Sequence, residues 1–230
     1  MKRFWTTVEV TAQDGGWGVA LDGRPVRTPA RAPLLLPTEP LVREVAAEWA
    51  AVGETIDPRA MPLTGLANAA IDHVEANRET FAAGLAKYGE ADLVCYRAEG
   101  PRALVARQAE EWDPLLVWAR RRFDVDFVVT TGILHVAQPP ATVRRLAHAI
   151  GVLGSFQLAA LSPLVTIGGS LLAALAVIEG AITVDAAWAI ASLDERWQLE
   201  QWGSDAEAET VLANRREDFL AAARLLSLLG

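Results

Sequence analysis

Cysteine is nearly absent: Cys95 stands alone among 230 residues, so no intramolecular disulfide can form, and a reducing compartment is expected. A concentrated basic surface is also missing. The formal charge is −8, and Arg120-Arg121-Arg122 is the only basic run of three, which argues against nucleic acid as a partner. Long unbroken apolar runs are lacking too. The stretch from Leu146 to Ile178 holds no Asp, Glu, Lys or Arg, but Gly151, Gly154, Pro163, Gly168 and Gly169 interrupt it. Its longest uninterrupted piece, Ser170 to Ile178, falls far below the roughly 20 residues a bilayer requires, so no membrane insertion is expected. The opening Met1-Lys2-Arg3-Phe4-Trp5 passes into strand-like alternation with no apolar signal core and no Arg-rich leader. The expected location is therefore the cytoplasm.

What the chain does have is two kinds of periodicity. Val8 and Val10 alternate with Thr7, Glu9 and Thr11; Asp14-Gly15-Gly16 and Asp22-Gly23 supply turns on either side of Trp17 to Leu21. Pro25, Pro29, Pro33 and Pro37 confine later strands to short or edge positions. Thr38 is placed to cap a helix running through Val52, with Gly53 available to end it in the left-handed conformation. Pro58 and Pro62 then mark a boundary near residue 60. Beyond it, helical patterns recur at 64–76, 77–88, 101–122, 139–150, 155–179 (divided at Pro163), 183–202 and 204–228. The fold class is α+β, with a small antiparallel β-rich N-terminal domain over 1–60 and a larger all-α domain over 61–230. The β-branched stretch Val125 to Thr130 is a candidate extra strand for the N-terminal sheet.

Reaction chemistry finds little support. Thr166-Ile167-Gly168-Gly169-Ser170 has the glycines of a phosphate loop but no lysine, and small residues also let helices pack closely. Cys95 sits in the apolar run Leu93-Val94-Cys95-Tyr96, as a core thiol does, with no local base beside it; His73 is the partner one would have to invoke. His73, His135 and His148 lie apart from one another and from paired carboxylates, and the acidic C-terminal segment lacks a Gly-centred calcium loop. Neither a metal nor a cofactor is expected.

The most informative stretch is Ser192 to Gly203, which places Trp197 and Trp202 among Asp194, Glu195, Glu200, Gln198 and Gln201. From Glu179 to Asp218 there are ten acidic and three basic residues, a balance of −7 that accounts for most of the chain's charge. Read as one helix over 183–202, the segment has a buried stripe Ala186, Ile190, Leu193, Trp197, with Asp194, Gln198 and Gln201 alongside. Apolar anchors beside a polar rim are the anatomy of a protein interface. The candidate partner-binding residues are Asp194, Glu195, Gln198, Glu200, Gln201, Trp202 and Asp205. Trp49, Trp112 and Trp197 are candidate structural anchors, with Pro114 expected near a helix start after Trp112.

Ordered blocks along nearly the whole chain carry a resemblance: Lys2 to Trp5, Leu21 to Pro29, Ala47-Glu48-Trp49, Met61 to Thr64 with Leu66-Ala67-Asn68, Asp92 to Arg97, Trp112 to Leu116, and Leu193 to Gly203. Together they are similar to the chaperone family that assembles the catalytic head of F-type ATP synthase by binding its α subunit. The resemblance implies a β-containing N-terminal domain, a helical C-terminal domain and no enzymatic activity. It also implies an unassembled α subunit as partner, whose interface is shielded until the β subunit takes it over; organellar relatives would do this in the mitochondrial matrix. The acidic residue after Leu193 is functionally important in such proteins. Here it is Asp194, where Glu is common, and Glu195 or Glu200 can share its role. The alternative reading is a small-molecule-binding protein or enzyme using an interdomain cleft.

Overall fold

The computed structural model describes residues 2–203 and 206–230. Four strands form the N-terminal sheet: β1 (Val8–Gln13), β2 (Gly16–Leu21), β3 (Arg24–Pro25) and β4 (Leu35–Leu36). β1 and β2 pair antiparallel from Val8 opposite Leu21 to Gln13 opposite Gly16, and β2 also pairs with β3 and β4. The connecting turns follow from composition. Gly15 takes φ +86°, and Asp22 and Gly23 take φ +46° and +74°, the pairing of signs that a tight hairpin turn demands. Asp22 is additionally fixed because its carboxylate accepts the Thr6 and Thr7 backbone N–H groups at 3.1 and 2.8 Å. Those bonds, Thr7's foremost, hold its pKa down at about 2.

The chain divides into two compact units: Met1–Arg78 with Gly154–Ala160 and Ala221–Gly230, and Glu79–Leu153 with Leu161–Leu220. The first unit carries the sheet, α1 (Glu39–Ala51) and α2 (Pro62–Ala69), followed by a π-helical turn over Ala70–Val74. α1 starts where Thr38 accepts the Leu41 N–H, and the same hydroxyl donates to the Leu228 carbonyl at 2.6 Å. Gly53 is not left-handed; α1 instead ends at Val52 with extended backbone (φ −57°, ψ 126°). The apolar faces of β2 and α1 close on Trp5, Leu36, Leu41, Val45 and Leu63, together with Ala160, Leu225 and Leu228 from the later segments. Trp49 packs edge-to-face on Trp5 with ring centroids 5.4 Å apart.

Glu48 joins two stretches 15 residues apart. Its carboxylate accepts the N–H groups of Leu63 (2.7 Å) and Thr64 (2.8 Å) and the Thr64 hydroxyl (2.6 Å), so a side chain of α1 caps α2. Met61 makes no side-chain cap of its own. Glu48→Ala is expected to lower stability by about 2 kcal/mol in urea melts, with Glu48→Gln recovering part of that, because two helix-terminal donors lose a charged acceptor. A variant as stable as the parent would show that water caps α2 equally well.

The second unit holds α3 (Arg78–Ala86) from Glu79 onward, β5 (Tyr96–Arg97), α4 (Arg102–Phe123), β6 (Thr130–Thr131), α5 (Pro140–Gly151), the latter part of α6 (Ser155–Gly168), α7 (Leu171–Ile178), α8 (Val184–Ala191), α9 (Leu193–Trp202) and α10 (Ala206–Leu229) up to Leu220. Several expectations are corrected. The 125–130 stretch adds no strand to the N-terminal sheet; Thr130–Thr131 pairs in parallel with Tyr96–Arg97. α4 runs unbroken over Arg102–Phe123, as the helical pattern at 101–122 predicts, but carries Pro114 inside it and not near a helix start. Pro163 is likewise internal to α6, and the break comes at Gly169, with φ +67°, and Ser170, whose hydroxyl caps α7 by accepting the Ala173 N–H at 3.0 Å. Among the described residues no helix is long and apolar enough to cross a membrane.

Asp92 is a carboxyl of this unit with no exposed surface. It accepts the Val94 N–H at 3.2 Å and the Leu172 N–H at 2.9 Å, tying a 3-10 turn over Leu93–Cys95 to the start of α7. Burial pushes its pKa up to about 6 against those hydrogen bonds. The folded protein then holds this proton more tightly than the unfolded chain does. The group's contribution is full below about pH 4 and is lost as pH rises through about 6, by at most about 3 kcal/mol. Urea melts at about pH 4.5 and 7 should show the parent losing stability relative to Asp92→Asn as pH rises; a constant difference would contradict this assignment.

Candidate partner-binding site

The stretch expected as one helix over 183–202 is two. Backbone at Ser192 (φ −102°, ψ 14°) ends α8, and the Ser192 hydroxyl donates to the Trp188 carbonyl at 2.7 Å. The break rotates the periodicity. Ala187, Trp188, Ile190, Ala191 and Leu193 are buried, whereas Ala186 is exposed and Trp197 only half-buried.

α9 is fastened to its neighbours by charge and amide contacts instead of a broad apolar face. Gln108 of α4 donates to Asp194 at 2.8 Å while its oxygen accepts the Ala98 N–H at 2.8 Å, so this buried amide is aligned from both ends. Arg107 pairs with Glu111 at 3.2 Å and with Glu200 at 2.7 Å. The Arg107 bond holds Glu200 below the usual carboxylate range, and Glu200 in turn raises Arg107. Arg196 meets Glu111 at 3.0 Å and the Ala189 carbonyl at 2.8 Å. Arg215 of α10 pairs with Glu195 at 3.1 Å and donates to the Ile167 carbonyl at 2.9 Å. Beneath them Trp112 is fully buried, its indole N–H on the Ile190 carbonyl at 3.1 Å and the Arg97 guanidinium 5.2 Å from its ring.

The candidate residues therefore divide by what they touch. Asp194, Glu195 and Glu200 are engaged within the protein. Gln198, Gln201 and Trp202 face solvent, Trp202 being 78% exposed. Asp205 lies outside the described residues. Asp194 and Gln198 line a concavity of about 320 Å³ with Pro101, Leu104 and Trp197, and a second of about 370 Å³ beside Gly168 and Arg215. Sequence reading missed the second half of this arrangement, Arg107, Gln108 and Arg215. Only the Arg107–Glu111 spacing of four offers a local signal; the partners 86 to 93 residues away leave none.

Cys95 is buried, and burial pushes its thiol up to about 12, so it remains protonated and unreactive near neutrality. Gly168 is a packing glycine: a Cβ there would stand 3.2 Å from the Phe219 ring and 3.5 Å from Ala191. Among the described residues no three His, Cys, Asp or Glu side chains converge on a point that could hold a metal ion.

Comparison with known proteins places this architecture. The chain is 45% identical to Atp12 from Paracoccus denitrificans, whose crystal structure superposes with a TM-score of 0.94 over 100% of this chain and 98% of that one. The Atu1473 protein of Agrobacterium tumefaciens is 38% identical, with a TM-score of 0.95 over 100% of this chain and 86% of that one. The mitochondrial protein atp12 of Schizosaccharomyces pombe is 25% identical over 98% of this chain and 82% of its own length. The family model for the ATP12 chaperone protein matches residues 2–120. A β-sheet unit followed by helices and these likenesses agree: the chain belongs to the ATP12 chaperone family, non-enzymatic chaperones of ATP synthase assembly.

Proposed function

We propose that this chaperone binds the unassembled α subunit of F-type ATP synthase through α9 and the start of α10, shields the surface that awaits the β subunit, and yields it to that subunit. The observation that carries this reading is the outward face of α9, where Gln198, Gln201 and a 78% exposed Trp202 stand in the most acidic part of the chain. A large exposed aromatic offers a partner apolar area to bury at low conformational cost. Amides and carboxylates around it give orientation and fast encounter without the affinity that would block handover. An orphan subunit exposes surface built for burial and is prone to self-association, so a holder needs only to cover that surface more favourably than aggregation does.

Charged side chains outside α9 fix the scaffold of each unit. Asp92 caps α7, Asp113 pairs with Arg97 at 2.7 Å, and Glu48 caps α2. The test is co-expression with the cognate α subunit. The expected result is more soluble α and its co-purification with this chain; unchanged solubility and no co-purification would contradict the reading.

A further inference from the structure

Beside the exposed indole, α9 and the first turns of α10 enclose an open groove of about 530 Å³. Leu199, Val211 and Leu212 supply apolar surface, and Trp202, Glu195 and Glu207 stand among its lining residues. Two of the chain's few large apolar side chains with more than half their surface exposed, Trp202 (78%) and Val211 (53%), therefore border the same depression. The sequence that forms it is predominantly acidic. Between Arg196 and Arg215 the sequence carries Glu200, Asp205, Glu207 and Glu209 and no basic residue. Arg215, the one cation among the described residues that line the groove, is already engaged by Glu195 and the Ile167 carbonyl.

We infer that this groove receives a basic amphipathic segment of the client, aliphatic on the face that enters and carrying arginine or lysine on its flanks. The inference rests on the proposed chaperone role and adds the chemistry of what is gripped. Charge complementarity selects the occupant. An acidic or neutral apolar segment would fill the floor equally well but meet repulsion or no steering at the rim, whereas flanking cations meet carboxylates within a Debye length. A helix that lays its apolar side into a groove is an established mode of peptide recognition.

The probe is a fluorescent synthetic helix with leucine along one face and arginine on its flanks, compared with a twin in which glutamate replaces every arginine. Anisotropy titrations use the full chain. The arginine probe should bind, weaken with added salt, and bind at least tenfold more tightly than its twin. Val211→Lys should weaken it at least tenfold, whereas Val211→Ile should not. Asn214→Lys, which adds the same charge on α10 at a residue that does not line the groove, should cost no more than twofold. Equal binding of the twins, or equal loss in Val211→Lys and Asn214→Lys, would overturn the inference. So would a concentration-dependent dimer abolished by Val211→Lys, which assigns the groove to a second copy. Co-purification with the α subunit is run in parallel: retention of α by Val211→Lys overturns the groove alone, and failure of the unaltered chain to retain α overturns the assembly reading together with it.

Discussion

Reversing two adjacent charges, Asp194→Lys together with Glu195→Lys, is expected to abolish retention of the α subunit while the protein stays folded. Each replacement changes the local charge by two, so the pair moves the most acidic region of the chain by four units. An encounter steered by carboxylates then becomes one opposed by ammonium groups. The structure sets the cost to the chaperone itself. The ammonium introduced by Asp194→Lys would face the Gln108 amide that now donates to the carboxylate, and the one introduced by Glu195→Lys would face Arg215. Both sites are only half-buried, so the loss in stability should be about 1–2 kcal/mol in total, small enough to leave the circular dichroism unchanged. Asp194→Asn with Glu195→Gln, which removes charge without adding repulsion, should fall between the parent and the reversal. Full retention of α by a folded double reversal would move the site elsewhere.

Trp112→Ala should produce the largest loss of stability of any single truncation considered, about 4 kcal/mol. The indole is fully buried, its N–H satisfies the Ile190 carbonyl at 3.1 Å, and the Arg97 guanidinium lies 5.2 Å from the ring. Truncation removes the packing, leaves a cavity and strips a partner from a carbonyl near the end of α8. Because α8 leads directly into α9, the same variant should loosen α9. Its urea midpoint should fall without a large change in slope, and Trp112→Phe, which keeps most of the volume, should lose about half as much. A loss under about 1 kcal/mol would show that the indole is not the anchor of α4 against α8.

The elements legible in the sequence are those with local signatures. The β1–β2 hairpin follows from alternation and the Asp-Gly turn, and the α1 start from Thr38. Breaks are harder to place. Proline composition predicts a helix start near Pro114 and a division at Pro163, yet α4 and α6 carry these residues internally, because a long packed helix can tolerate one missing N–H. The break that matters, at Ser192, has neither proline nor glycine; its hydroxyl bonds back to Trp188, a choice invisible to periodicity. Recurrence of Gly154–Ala160 and Ala221–Gly230 within the first unit is likewise a tertiary outcome that no local pattern announces. The acidic, aromatic character of 192–203 is readable, but which carboxylates are tied down is not. Asp194, Glu195 and Glu200 find Gln108, Arg215 and Arg107 across 86, 20 and 93 residues, leaving Gln198, Gln201 and Trp202 as the outward group.

Hydrogen exchange on the complex with the α subunit tests the central claim most directly. The end of α9 from Gln198 and the first turns of α10 lie in a mostly exposed part of the second unit, and their amides should exchange readily in the free chaperone. The account predicts that bound α slows exchange there by at least tenfold, centred on Gln198 to Val211, with little change in the N-terminal sheet. Protection confined to other elements, with α9 exchanging as freely as before, would contradict it.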